Sequence, residues 1–123
     1  MILDTGFLVA VDRGDLRAKT FLERAEHERQ DLHTTEAVIA QAWREGTRQA
    51  RLARFLHGVT AHPLGNGRLV GELLAKAWTS DVVDAHLAIT AHQHGLNIVT
   101  GDVDDLILLA NLLPSRPRVH AWP

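Results

Sequence analysis

The strongest constraint on the fold is a series of very short apolar or β-branched runs, each handing over to a longer stretch with helical spacing. "MIL" opens the chain and stops at Asp4; "DLHTT", "VTAHPL", "NIVT" and "PRVHAW" follow at intervals. Runs of this length suit buried strands and are too short for helices. The stretch "TGFLVAVDRGD" reads as a short helix closed by Gly14. From Asp15 to Arg29, Leu16, Phe21, Leu22 and Ala25 fall near helical spacing behind a capping Asp15. Thr35 can cap "EAVIAQAWREG", which Gly46 ends. "RQARLARFLHG", "GRLVGELLAKAW", residues 81–94 and residues 104–113 complete the helices. Short strands alternating with helices predict an α/β fold with a parallel sheet covered on both faces.

A chain of 123 residues, 46% hydrophobic, can bury one proper core, so a single domain over residues 1–123 is expected. It has no internal repeat, low-complexity tract or Gly/Ser/Pro-rich linker. There is no cysteine, which excludes disulfides, thiolate nucleophiles and cysteine-based zinc sites and fits a reducing, cytoplasmic setting. "MILDT" lacks a basic region followed by an apolar one, so no signal peptide is expected, and no apolar run is long enough to cross a bilayer. Net charge is −2, so a nucleic-acid partner must be met by a local basic patch.

Function in open parallel sheets collects beyond the carboxyl ends of the strands, at the topological switch point. That rule selects among fifteen acidic residues. Asp4 follows the first strand directly, Asp102 follows "NIVTG", and Asp84 lies in the first turn of a helix that can point to the same edge. Carboxylates brought together repel, and one takes up a proton unless a cation intervenes. A hard ion such as Mg²⁺ relieves the conflict with only a few protein carboxylates, and such an ion can assist phosphodiester cleavage. A second reading stands beside this one. Asp81-x-x-Asp84 and Asp102-x-x-Asp105 both have capping-box spacing, and Asp4 can cap the helix after the first strand. Both readings can hold together, with Asp81 capping while Asp84 binds metal.

"MILDTGFLVAV", "DAHLAITA" and "IVTGDVDDL" resemble, in order and spacing, the three acidic motifs of PIN-domain proteins, and the size is similar to that of the VapC toxins of VapBC toxin–antitoxin pairs. The resemblance spans nearly the whole chain. It implies a PIN-like three-layer α/β/α fold with a central, mostly parallel sheet. It further implies an endoribonuclease that depends on Mg²⁺ or Mn²⁺ and cleaves RNA through a metal-activated water, a VapB-like antitoxin that inhibits it, and a homodimer. Carried over by position, Asp4, Asp84 and Asp102 are the catalytic and metal-holding acids, with Asp105 a second candidate for the last of these. One position departs from the pattern: Gln41 in "VIAQAWREG" stands where the family usually has a glutamate. Glutamine can offer an oxygen but no charge, and it cannot act as a base. Glu45 and Glu36 flank it on the same predicted helix without matching its place. Weaker metal binding or a narrower choice of metal follows, and with it a rival reading: a PIN-like module that pairs with an antitoxin or binds RNA without cutting.

Arg44, Arg48 and Arg51 fall at i, i+4 and i+7, with Arg54 close behind, and form a basic stripe along or across the hinge between two helices, suited to RNA phosphates or an ordinary solvated face. Thr5 and Thr100 adjoin the strand-end acids and can orient a ligand carboxylate or water, or act as caps. Among eight histidines, His92 and His94 suggest half of a transition-metal site with His86 or His120 as helpers. However, i and i+2 face apart on a helix, so a scattered, mostly exposed set is expected. There is no G-x-S-x-G elbow and no P-loop. "LILLANLL" and Trp43 suit ordinary core, a dimer face or an antitoxin groove.

Overall fold

The computed structural model describes residues 1–123. The five short runs become strands β1 (Ile2–Leu3), β2 (His33–Thr35), β3 (Thr60–His62), β4 (Ile98–Thr100) and β5 (Val119–Ala121). All pair in parallel, in the order β3-β2-β1-β4-β5. The helices are α1 (Thr5–Asp12), α2 (Leu16–His27), α3 (Glu36–Ala42), α4 (Ala50–Leu56), α5 (Gly67–Ala77), α6 (Val82–His94) and α7 (Val103–Asn111). α1 packs against α2 and α4, and α5, α6 and α7 pack together, giving a layer of helices on each side of the sheet. α3 touches both α1 and α6 and bridges the layers at one edge.

The chain builds outward from β1 to β2 and β3, then returns to place β4 on the other side of β1. The strand order therefore reverses between β1 and β4, which is where a parallel sheet opens a crevice at its carboxyl edge. Ile2, Leu3, Ile98 and Val99 on these two strands are fully buried, as continuous apolar strands between two helical layers must be. Phe7 packs edge-to-face on Phe21 and Trp122, with centroids at 5.3 and 4.9 Å, and closes the core on the α1 side. On the other side α6 is buried all round, with Ala85 to Ala91 shielded without a break. The small residues in "DAHLAITA" allow this, because a helix without a bulky polar face can be covered on every side.

Most helix starts follow the expected caps. Asp15 Oδ1 accepts from Arg17 N at 2.8 Å and Thr35 Oγ1 from Val38 N at 3.1 Å. α3 departs from expectation. It ends at Ala42 rather than Gly46, because Trp43 takes an extended backbone (φ −78°, ψ 123°). The side chain of buried Gln49 then serves the freed groups: its Oε1 accepts from Arg44 N (2.7 Å) and Glu45 N (2.9 Å), and its Nε2 donates to Ala42 O (3.0 Å). A single turn of 3₁₀ helix, Gly46–Arg48, leads on to α4.

Candidate active site

The site assembles from strand ends and helix starts. Asp4 ends β1 and caps α1: its Oδ1 accepts from Phe7 N at 3.0 Å. Its Oδ2 accepts from the hydroxyl of Thr100, on the neighbouring strand, and from Gly101 N at 3.2 Å. These donors hold the buried carboxylate in one orientation. The same Thr100 hydroxyl accepts from Asp102 N at 2.9 Å, so one side chain ties the two strand-end acids together. Asp102 occupies the cap position of α7, yet its carboxylate makes no capping bond and is left exposed.

The third acid comes from α6. Asp81 caps this helix, its Oδ1 accepting from Asp84 N at 3.0 Å, and Thr79 Oγ1 in turn accepts from Asp81 N at 3.3 Å. Asp84 itself, in the first turn, is half-buried and its carboxyl is pushed up to about 7. Burial is the largest cause, followed by the charge of Asp81, a side-chain hydrogen bond with Asp81, and the charges of Asp102 and Asp4. The four acids thus share one mouth at the switch point. Capping and site readings divide among them: Asp4 and Asp81 cap, while the carboxylates of Asp84 and Asp102 do not. Asp105 lies further along α7, exposed, in a shallow depression it shares with Asp102 and Asp104.

Thr5 is no cap; its hydroxyl donates to Gln41 Oε1 at 2.7 Å. Because Thr5 follows Asp4, this bond brings Gln41 on α3 to the acidic edge. Glu36 is exposed in the first turn of α3, and Glu45 lies beyond that helix, 3.7 Å from Arg48. Arg44 follows the end of α3, Arg48 lies in the 3₁₀ turn, and Arg51 and Arg54 are on α4. Arg44 donates to the Ala40 and Trp43 carbonyls, one turn from Gln41. Arg51 packs on Gly14, where a Cβ on that glycine would meet the guanidinium carbon at 3.1 Å, and lines a groove of about 610 Å³ with Arg54, Leu16, Leu22 and Phe55.

The histidines correct the expectation of a scattered, exposed set. His86 is buried on α6, and His33, His62 and His94 touch one another. His92 instead pairs with the Ser115 carbonyl at 2.8 Å, and His120 is exposed on β5. His92 and His94 do face apart, as their spacing requires; the cluster that forms joins two strands and a helix far apart in sequence. In "LILLANLL", Leu106 and Leu109 are core, whereas Ile107, Leu108 and Leu112 are exposed. Trp43 is half-buried against the core and over Gly46.

No three His, Asp or Glu side chains stand so as to ligate one ion directly. The donor chemistry nevertheless fits a small hard cation. All the donors are oxygens, the carboxylates raise one another's cost, and Mg²⁺ keeps several waters through which side chains can reach it. Asp4, Asp84 and Asp102 would hold such an ion, with Gln41 at the rim.

A parallel α/β/α domain with acids gathered at its switch point defines a class to which comparison gives a family. The sequence profile of the PIN domain matches residues 1–110, and the chain belongs to the PIN domain family. PIN domains are as a family nucleases that generally use divalent metal ions. Among solved structures, VapBC2 from Rickettsia felis, bound to a DNA fragment from its promoter, superposes with a TM-score of 0.73 at 17% identity, covering 99% of this chain and 98% of that one. A toxin–antitoxin complex from Klebsiella pneumoniae gives 0.69 at 17% identity, over 85% and 88%. FitAcB from Neisseria gonorrhoeae gives 0.62 at 16% identity, over 96% and 94%. These likenesses establish the shared PIN-like fold. No curated protein matches the sequence. No helix is long and apolar enough to cross a membrane.

Proposed function

We propose that this protein is a VapC-type endoribonuclease toxin that requires Mg²⁺ or Mn²⁺ and acts in the cytoplasm as the partner of a VapB-like antitoxin. The observation that carries the reading is the state of Asp84. Burial and the charges of Asp81, Asp102 and Asp4 push its carboxyl to about 7, a cost that a bound cation removes. When bound, the ion supplies a lowered water pKa and neutralises charge developing on a scissile phosphate. Asp4 is held rigid by Phe7 N, Thr100 and Gly101 N to receive the ion. Asp102 presents a free carboxylate from the adjoining strand end, and Asp84 closes the third side. Asp105 serves as an outer acid, Asp81 and Thr100 as positioning residues, and Thr5 orients Gln41. Arg44 would meet an RNA phosphate beside Gln41, with Arg48 and Arg51 guiding the strand further out.

The groove between α2 and α4 suits the antitoxin: its floor is apolar, Leu16 stands exposed at its lip, and Lys19, Arg51 and Arg54 rim it. Exposed Leu69 and Leu112, which line one depression, and nearby Ile107 and Leu108 on α7 support a homodimer through the α5–α7 side. The folding unit is taken as the whole of residues 1–123.

Incubation of the purified chain with a mixed pool of structured RNAs in Mg²⁺, Mn²⁺ and EDTA tests the reading. Cleavage is expected in either metal and not in EDTA, and is lost in Asp84→Asn. A folded Asp84→Asn protein with full activity would sink the assignment. The rival, an RNA- or antitoxin-binding module, draws support from one observation: Gln41 places a neutral amide at the acidic edge. That module would hold its partner in EDTA and cut nothing in metal.

A further inference from the structure

At the far end of α6 from Asp84 lies a second cluster, built of histidine. His33 opens β2, His62 closes β3, and His94 is the last residue of α6. His94 is ten residues beyond Asp84, about 15 Å along the helix axis. His33 Nδ1 and His62 Nε2 face each other at 2.9 Å. Their rings lie within 13° of one plane with centroids 5.2 Å apart. At that nitrogen separation the rings meet edge to edge rather than face to face, sharing one proton. The ring of His94 lies 4.4 Å from that of His62, tilted by 40°. On α6, His86 precedes His94 by eight residues, about 12 Å along the axis and roughly a quarter-turn round the helix. His86 Nδ1 is buried with no hydrogen-bond partner, and the charges of both His86 and His94 act on His62.

We propose that His33, His62 and His94 bind one divalent ion of the borderline, imidazole-preferring class, of which Zn²⁺ is the type. Two imidazole nitrogens on zinc, at bonds of about 2.0–2.1 Å and angles of about 90–110°, stand about 2.9–3.4 Å apart. The His33–His62 pair has that spacing. No three of the side chains converge on one point as they stand. Convergence needs the two facing rings to turn about χ2, a soft torsion, and the exposed His94 to swing inward. Burial, the largest cause in each case, lowers the basicity of His33 and His62 and so favours the neutral imidazoles that a metal takes as ligands. Imidazoles select zinc, copper or nickel, and the carboxylates at the other end select magnesium or manganese, so one helix would carry two sites of opposite preference. The ion would tie β2, β3 and α6 together.

Calorimetric titration of the tag-free full chain with Zn²⁺ in excess Mg²⁺ at neutral pH tests the site. One equivalent should bind, with a rise in melting temperature. His62→Gln and the exposed His94→Gln should each weaken Zn²⁺ binding about tenfold or more, both variants being checked for folding by circular dichroism. Asp84→Asn should bind Zn²⁺ as the parent does. Absence of binding, or binding that survives both histidine variants, overturns the proposal. So does loss of Zn²⁺ binding in Asp84→Asn, which would put the ion at the acidic mouth.

Discussion

The two ends of α6 solve opposite problems of charge. At its start, Asp81 and Asp84 join Asp4 and Asp102, four groups of like sign that favour their charged forms in water. At its end, His33, His62 and His94 gather, and His33 and His62 share a proton between facing nitrogens. The acidic mouth also faces the starts of α1, α6 and α7, whose backbone N–H groups and dipoles favour negative charge. Even so, Asp84 is driven toward its protonated form, because burial and three neighbouring carboxylates outweigh the helix start. The His33–His62 pair is relaxed by hydrogen bonding; the acidic end is relaxed only by a proton or a cation. On the proposed function, this contrast makes the acidic end the reactive one.

The sharpest way to break that contrast is Asp84→Asn. Removing one carboxylate should lower RNA cleavage by about a hundredfold or more, the scale of losing an electrostatic group at a reaction centre. The same change should leave the fold as stable as before, or more so, at pH 8 in EDTA, since it removes a half-buried charge. Cleavage assays and thermal melts on one preparation check both halves. A variant that loses activity together with its cooperative melt would make Asp84 a structural residue.

Thr100→Val comes next. The hydroxyl joins Asp4 to Asp102 from a fully buried position. Its loss should destabilise by about 1–3 kcal/mol, because the Asp4 carboxylate and the Asp102 N–H lose a partner. Activity should fall roughly tenfold through misplaced acids. Urea unfolding and cleavage kinetics read the two effects, and Thr100→Ser should recover most of both.

Much of this was readable from the residues. Short apolar runs gave strands, and the switch-point rule picked Asp4, Asp84 and Asp102 from among the acids. The early end of α3 was not readable, because Gln49 reaches back seven residues to bond Ala42 O and hold the chain out of the helix. Local propensity carries no trace of such a contact. The histidine cluster was hidden for a related reason. Helical spacing can test His92 against His94, but the contact of His33 with His62 depends on the register of β2 on β3, where Thr35 stands opposite His62.

The pH dependence of stability sharpens the contrast further. The carboxyl of Asp84 sits at about 7 in the folded chain against a usual value of 3.8. Between those values the folded state holds a proton that the unfolded state has released, so this group makes stability fall as pH rises from about 4 to about 7. Melts of the parent and Asp84→Asn in EDTA should diverge over that window, with the parent losing ground toward pH 7. Saturating Mg²⁺ should close the gap. A constant difference from pH 5 to pH 8 would mean that Asp84 titrates as an ordinary surface carboxylate.

The smallest effect expected is that of Gln41→Glu. The glutamine already stands at the acidic edge, its Oε1 accepting from Thr5, so a carboxylate of nearly the same shape can take its place and keep that bond. The added charge should tighten Mg²⁺ binding by about three- to tenfold, since affinity for hard cations follows the number of charged ligands. It should also push the Asp84 carboxyl higher still in EDTA, because one more like charge joins those acting on it. Mg²⁺ titration of cleavage and a pH series of melts test the two consequences together. Tighter metal with modestly faster cutting means the native mouth works with three acids. A gain from almost nothing to full activity would mean that the neutral side chain holds the native protein in the binding role.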